Sequence, residues 1–140
     1  MILLDTSGLL AALFSDQNRH EECASILRKS TPPRVLSPFV LAELDYLVLK
    51  YAGVEAELQL LAEVGRGVYE LAEFDRYDID AAYEIVEQYR DLRIGLADAS
   101  IAVCAKRWDA RDVLTLDERH FRALRAAPRK RFRILPSDAR

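Results

Sequence analysis

The chain has 140 residues, 51% hydrophobic and 31% charged, with a net charge of −3. That size and balance fit one folded domain over residues 1–140 and exclude a disordered chain. No apolar run nears the roughly 18 residues of a membrane span, and Met1-Ile2-Leu3-Leu4 meets Asp5 with no basic flank, unlike a signal peptide.

In chain order, Ile2-Leu3-Leu4 is a short apolar run closed by Asp5-Thr6-Ser7-Gly8, which predicts a buried strand ending in a turn and then a helix to about Phe14. Asp16 and Asn18 are expected to cap a second helix, Arg19 to Lys29. Pro32-Pro33 breaks the chain before a second strand, Arg34-Val35-Leu36. Ser37 followed by Pro38 reads as an N-cap with proline in the first turn of a helix that ends near Gly53. Val54 to about Val64 is helical by its leucine spacing, and Val68 to Phe74 alternates like a third strand. Asp78-Ile79 opens an amphipathic helix carrying Ala82, Tyr83, Val86 and Tyr89. Gly95 precedes a helix from Leu96 to Trp108, and Asp112 to Asp117 reads as a fourth strand, with Phe132 to Leu135 a fifth. Short apolar strands alternating with longer helices predict an α/β fold with a short, mostly parallel central sheet of four or five strands flanked by helices.

Cys23 and Cys104 lie far apart, match no metal-ligand spacing and read as small core side chains; a reducing cytoplasm suits them. Charge is uneven along the chain. From Glu118 to Arg140 eight Lys/Arg face two Asp/Glu, a local balance of +6, which leaves −9 on the first 117 residues. A basic segment over about residues 119–140 suits nucleic acid or an acidic protein, although a solvated surface explains it equally well.

Four acids carry the chemical interest, and each has a plainer reading. Asp5 follows the first strand at the rim where open α/β sheets bind ligands, and it is equally a helix N-cap. Glu43, in Ala42-Glu43-Leu44, borders an apolar helix face and reads otherwise as a snorkelling side chain. Asp98, in Ile94-Gly95-Leu96-Ala97-Asp98-Ala99, sits in a helix first turn, where the helix dipole favours an acid, yet among small apolar neighbours that would make an unpaired charge costly. Asp117 follows the fourth strand and reads otherwise as a cap. His20 and His120 are expected to serve packing or capping, not general-base catalysis, and Trp108 to belong to the core. The second aspartate of an aspartyl-phosphate phosphatase is missing after Asp5, and the acidic pair and late lysine of a receiver-type domain are missing too.

Order and spacing say more than any single acid. Asp5-Thr6-Ser7, Val40-Leu41-Ala42-Glu43-Leu44-Asp45-Tyr46-Leu47, Arg93-Ile94-Gly95-Leu96-Ala97-Asp98-Ala99 and Leu114-Thr115-Leu116-Asp117-Glu118-Arg119-His120-Phe121 together resemble the PIN-domain nucleases, more narrowly the VapC toxins of toxin–antitoxin pairs, from Met1 to about Pro136. The resemblance implies a metal-dependent endoribonuclease. Asp5, Asp98, Glu43 and Asp117 would be its catalytic and metal-binding acids, and Thr6 or Thr115 would position a carboxylate or a water. It also implies a cognate antitoxin, a homodimer and no membrane. A non-catalytic PIN-like module that binds RNA or protein, and a housekeeping nuclease without an antitoxin, are the alternatives.

The chemistry has a physical logic. Two unit charges about 4 Å apart repel by roughly 4 kcal/mol at an effective dielectric near 20, so converging carboxylates need a cation. Oxygen donors select hard ions such as Mg²⁺ or Mn²⁺, and such an ion activates water and offsets charge in phosphodiester hydrolysis. An acidic site must also be rimmed by cations to admit RNA. Arg93, Arg119, Arg122 and the Arg129-Lys130-Arg131 run are the candidates.

Overall fold

The computed structural model describes residues 1–139. Its elements run β1 (Ile2–Leu4), α1 (Thr6–Leu13), α2 (His20–Lys29), β2 (Arg34–Leu36), α3 (Pro38–Ala52), α4 (Val54–Gly65), β3 (Glu70–Leu71) and α5 (Arg76–Gln88). After a 3-10 turn at Arg90–Leu92 come α6 (Leu96–Trp108), β4 (Asp112–Leu114), α7 (Glu118–Ala123), β5 (Arg125–Ala127), β6 (Lys130–Arg131) and β7 (Arg133–Leu135).

Five strands form one sheet in the order β3-β2-β1-β4-β7, every pair parallel. Helices cover its faces, so the central strands are apolar at nearly every position: Leu3, Leu4, Val35, Leu36, Val113, Leu114 and Ile134 are all essentially inaccessible. From β1 the chain moves outward through β2 to β3, then returns to place β4 on the other side of β1 and β7 beyond it. Strand order therefore reverses between β1 and β4, and ligands of open α/β sheets bind outside the carboxyl ends at such a reversal. Asp5 leaves β1 and Asp117 follows β4 at that place.

Helix α1 crosses the end of β4 at very close range. A Cβ added to Gly8 would run into the carbonyl of Leu114 and lie 2.8 Å from the Thr115 nitrogen.

The α/β class and the parallel sheet agree with the sequence expectation; several boundaries do not. The expected strand Val68–Phe74 shrinks to Glu70–Leu71, because it is an edge strand paired only to the three-residue β2. Helix α5 starts before Asp78: Asp75 is its N-cap, accepting from the Asp78 N–H, and the Asp78 carboxylate accepts in turn from the Asp75 N–H in a capping box. Neither Asp16 nor Asn18 caps α2, whose N-cap is Arg19 in a left-handed conformation. The fourth strand ends at Leu114, not at Asp117, because side chains there take over from the ladder: the Thr115 hydroxyl accepts from the Asp117 N–H at 2.9 Å. The antiparallel hairpin β5–β6 was not expected at all.

Candidate metal centre

The first acid lies at the root of the site. Asp5 occupies the N-cap position of α1 with extended backbone, yet its side chain makes no capping bond. It accepts instead from the Thr115 hydroxyl at 2.6 Å and the Ser7 hydroxyl at 3.2 Å. Ser7 also accepts from the Leu116 N–H at 2.9 Å, so α1, β1 and the segment after β4 are tied together through two hydroxyls. Asp5 is only 5% exposed. Burial pushes its carboxyl up to about 7, with the charge of Asp98 adding to the effect against the hydrogen bonds from Thr115 and Ser7.

Asp98 comes from the first turn of α6. Its carboxyl is also raised, by burial foremost and by the charges of Asp117 and Glu43, against the opposing hydrogen bond and charge of His120. Asp117 caps α7, accepting from the His120 N–H at 3.4 Å through Oδ1. Glu43 projects from α3 with more solvent than its apolar neighbours Leu44 and Val40. Asp5, Glu43, Asp98 and Asp117, carried by four separate elements, line one cleft of about 370 Å³ with Thr6, Ser7 and His120.

The supporting threonines differ in role. Thr115 is fully buried and holds Asp5. Thr6 is buried with its Oγ1 unpartnered among the described residues, a vacant hydrogen-bonding position on the cleft wall.

Two residues that sequence reasoning passed over belong here. His120, expected only to pack or cap, points Nδ1 at Asp98 Oδ2, 2.7 Å away, and at Asp117 Oδ2, 3.1 Å away. Its place three residues after Asp117, on the first turn of α7, was the available signal, since i and i+3 share a helix face. Ser7 was visible in Asp-Thr-Ser but was weighed only as a capping residue.

The basic rim is smaller than expected. Arg93 and Arg119 are exposed and make no ion pair among the described residues. Arg122 differs from them in pairing with Asp138 and Glu118 at 2.7 and 2.9 Å. Lys130 pairs with Asp109 at the far end of α6, eleven residues from Asp98 and about 16 Å along the axis, so its basic run does not border the cleft. A larger groove of about 930 Å³ runs between α5, α6 and β5; its ion pair, Arg107 to Asp78, leaves it without converging acids.

Whether a divalent cation suits these residues is answered by their charge and donors. Two aspartates with elevated pKa values repel across the cleft, the donor atoms of Asp98, Asp117 and His120 lie within 4.8 Å of one another, and Thr6 offers a further oxygen. An oxygen-rich set of this kind fits a hard or borderline ion.

The same burial makes a prediction for the metal-free protein. Between pH 3.8 and about 7 folded Asp5 keeps a proton that the unfolded chain has released. Its contribution to stability therefore falls as pH rises through that window and is flat above it. Asp5→Asn keeps an acceptor for Thr115 and Ser7 without the buried charge. In EDTA at pH 8 it is expected to melt higher than the parent by about 5 °C or more, the gap closing near pH 4. Identical melting at pH 8 would count against a strained carboxylate.

Comparison with known proteins gives concordant results. The model of the PIN domain family matches residues 2–127. Ribonuclease VapC26 of Mycobacterium tuberculosis (strain ATCC 25618 / H37Rv) is 44% identical over 135 residues, 96% of this chain and all of that protein. Among solved structures, the sarcin-ricin loop cleaving toxin VapC20 of M. tuberculosis superposes with a TM-score of 0.78 at 18% identity, covering 86% of this chain and 92% of that one. A toxin–antitoxin complex from Klebsiella pneumoniae gives 0.68 at 18% identity, with 90% and 94% covered. FitAcB from Neisseria gonorrhoeae gives 0.54 at 23%, with 81% and 85% covered. At these identities the structural matches speak for the fold.

Proposed function

The chain belongs to the PIN domain family and, within it, to the VapC ribonucleases, and from that premise we propose that it is an endoribonuclease, the toxin of a toxin–antitoxin pair, whose RNA is cut at the Asp5–Asp98 cleft with Mg²⁺ or Mn²⁺. One observation carries the reading: four acids from distant parts of the chain line a single cleft at the reversal of strand order, and two of them are held against their own charge.

When bound, the cation supplies water activation and charge neutralisation at phosphorus. The chain's residues supply placement. Asp5 and Asp98 would hold the ion, with Thr115 and Ser7 fixing one oxygen of Asp5 and leaving the other to the cleft. Asp117 offers Oδ2 while Oδ1 is spent on α7, which sets its direction. Glu43, at the solvent edge, would complete the acid set where substrate enters. Thr6 offers its vacant hydroxyl to a water or phosphate oxygen. Arg93 and Arg119 would take flanking phosphates. In net terms water oxygen bonds to phosphorus, the bond to the leaving oxygen breaks, and a proton goes to that oxygen.

Partners follow from the same reading: an antitoxin protein and a second copy of the chain. Support comes from α3 and α4, which leave Tyr46, Leu49, Tyr51, Val54, Leu58 and Leu61 exposed, more apolar surface than an isolated helical pair needs. No helix among the described residues is long and apolar enough to cross a membrane. We take residues 1–140 to work as one domain in the cytoplasm, where RNA and the two free cysteines are both at home.

Purified protein incubated with total RNA is expected to cleave with Mg²⁺ or Mn²⁺, to stop in EDTA and to resume on metal addition. No cleavage with either ion would point to a non-catalytic binding module. Growth arrest on expression, relieved by a neighbouring small gene, separates a toxin from a housekeeping nuclease.

A further inference from the structure

The two histidines of the chain are used differently. His20 spends Nδ1 on the backbone carbonyl of Ala11 at 2.7 Å, an ordinary structural contact. Among the described residues the ring of His120 has no backbone partner, and Nδ1 meets only the carboxylates of Asp98 and Asp117. Its ring is 20% exposed on the cleft wall, and its backbone is fixed by neighbouring Phe121, which is buried edge-on against Phe132 at 5.4 Å.

The spacing of these three donors has a second meaning. In an octahedral ion with bonds of about 2.1 Å, adjacent donors stand about 3.0 Å apart. Nδ1 lies 2.7 Å from one carboxylate oxygen and 3.1 Å from the other. Asp117 and His120, three residues apart on one helical turn, form one pincer, and Asp98 of α6 closes it.

From this geometry we infer that His120 Nδ1 is itself a metal ligand, forming with Asp98 and Asp117 a two-carboxylate, one-imidazole seat that prefers Mn²⁺ to Mg²⁺. The inference rests on the metal-nuclease reading and refines which ion it uses. Imidazole nitrogen binds the first-row transition ions, Mn²⁺ the weakest of them, better than it binds Mg²⁺, whereas carboxylate oxygens alone accept both Mg²⁺ and Mn²⁺. Coordination through Nδ1 leaves the ring proton on Nε2, which faces away from the two acids. His120 is thereby distinct from Thr115 and Ser7, which act on the ion only by holding Asp5.

The test is direct and does not depend on catalysis. Mn²⁺ is added to the full-length protein and pulsed EPR is recorded for ¹⁴N coupling from a directly bound imidazole. Calorimetry then measures Mn²⁺ and Mg²⁺ affinity for the parent, His120→Ala and His120→Asn, with melting curves to establish folding. Nitrogen coupling is expected in the parent and absent from both variants. Mn²⁺ affinity should fall about tenfold or more in the variants, with Mg²⁺ affinity changing less than about twofold. A parent spectrum with oxygen ligands alone, or equal losses for the two ions, overturns the histidine ligand and leaves the nuclease reading standing. A parent that takes up no Mn²⁺ sinks both.

Discussion

Asp98→Asn is expected to lower kcat/KM for RNA cleavage by on the order of 10²–10³-fold while leaving the protein folded. The substitution keeps the size of the side chain and a polar amide facing His120 Nδ1, and it removes one negative charge. That charge adds to the burial that pushes Asp5 upward, and Asp98 is itself raised by burial first and by the charges of Asp117 and Glu43. In EDTA, therefore, the variant should melt at or above the parent temperature. Lost function with retained or increased stability is the signature of a charged site assembled for an ion and not for the fold. Rate measurements in Mn²⁺ beside melts in EDTA check both halves. Undiminished cleavage would remove Asp98 from the site, and a collapsed melt would make it structural.

Gly8→Ala carries the largest expected cost in stability. In an open helix interior, alanine for glycine usually helps by roughly 0.5–1 kcal/mol. At Gly8 the added carbon meets the carbonyl of Leu114, a backbone atom locked in the sheet through β1 and β7. Overpacking of a rigid site costs typically 1–3 kcal/mol and more where backbone must move, so a net loss of about 3 kcal/mol is expected. Gly65→Ala, at a position with nothing within 4 Å, is the control and should be neutral or mildly stabilising. Urea unfolding of the two variants measures the contrast. Because α1 carries Ser7 and follows Asp5, a displaced α1 should also weaken cleavage at temperatures where Gly8→Ala is still folded. Equal stability of the two variants would mean that the close approach of α1 to β4 carries no weight.

The parts of the fold that the sequence shows are those with local causes. The apolar run Ile2–Leu4 and the pair Val35-Leu36 are strands because burial on both faces leaves no polar alternation to read, and Ser37-Pro38 starts α3 with the expected cap, its hydroxyl accepting from the Phe39 N–H. Where a tertiary partner decides, the pattern misleads. Val68–Phe74 has the alternation of a full strand, but β2 offers only three residues to pair with. Arg125–Arg131 looks like a charged tail and instead folds back as a hairpin against α6, with Ala126 and Phe132 buried. Asp5, Asp98 and Asp117 were legible because each sits at or beside an element boundary where an acid stands out, and Glu43, inside α3, only through its place in the motif order. His120 was not, since a histidine beside a buried phenylalanine gives no sign of what faces it across 22 residues of chain. The pairing of Arg122 with Asp138, sixteen residues away, was hidden in the same way.

The bond from Thr115 to Asp5 joins residues 110 apart, and Thr115 is itself held by the carbonyl of Leu135. During translation, at about 5–20 residues per second, Asp5 therefore leaves the ribosome many seconds before either partner exists. Throughout that interval the nascent polypeptide has its acids but not their arrangement. The acidic cleft can thus take its final form only once each copy has been made past residue 135.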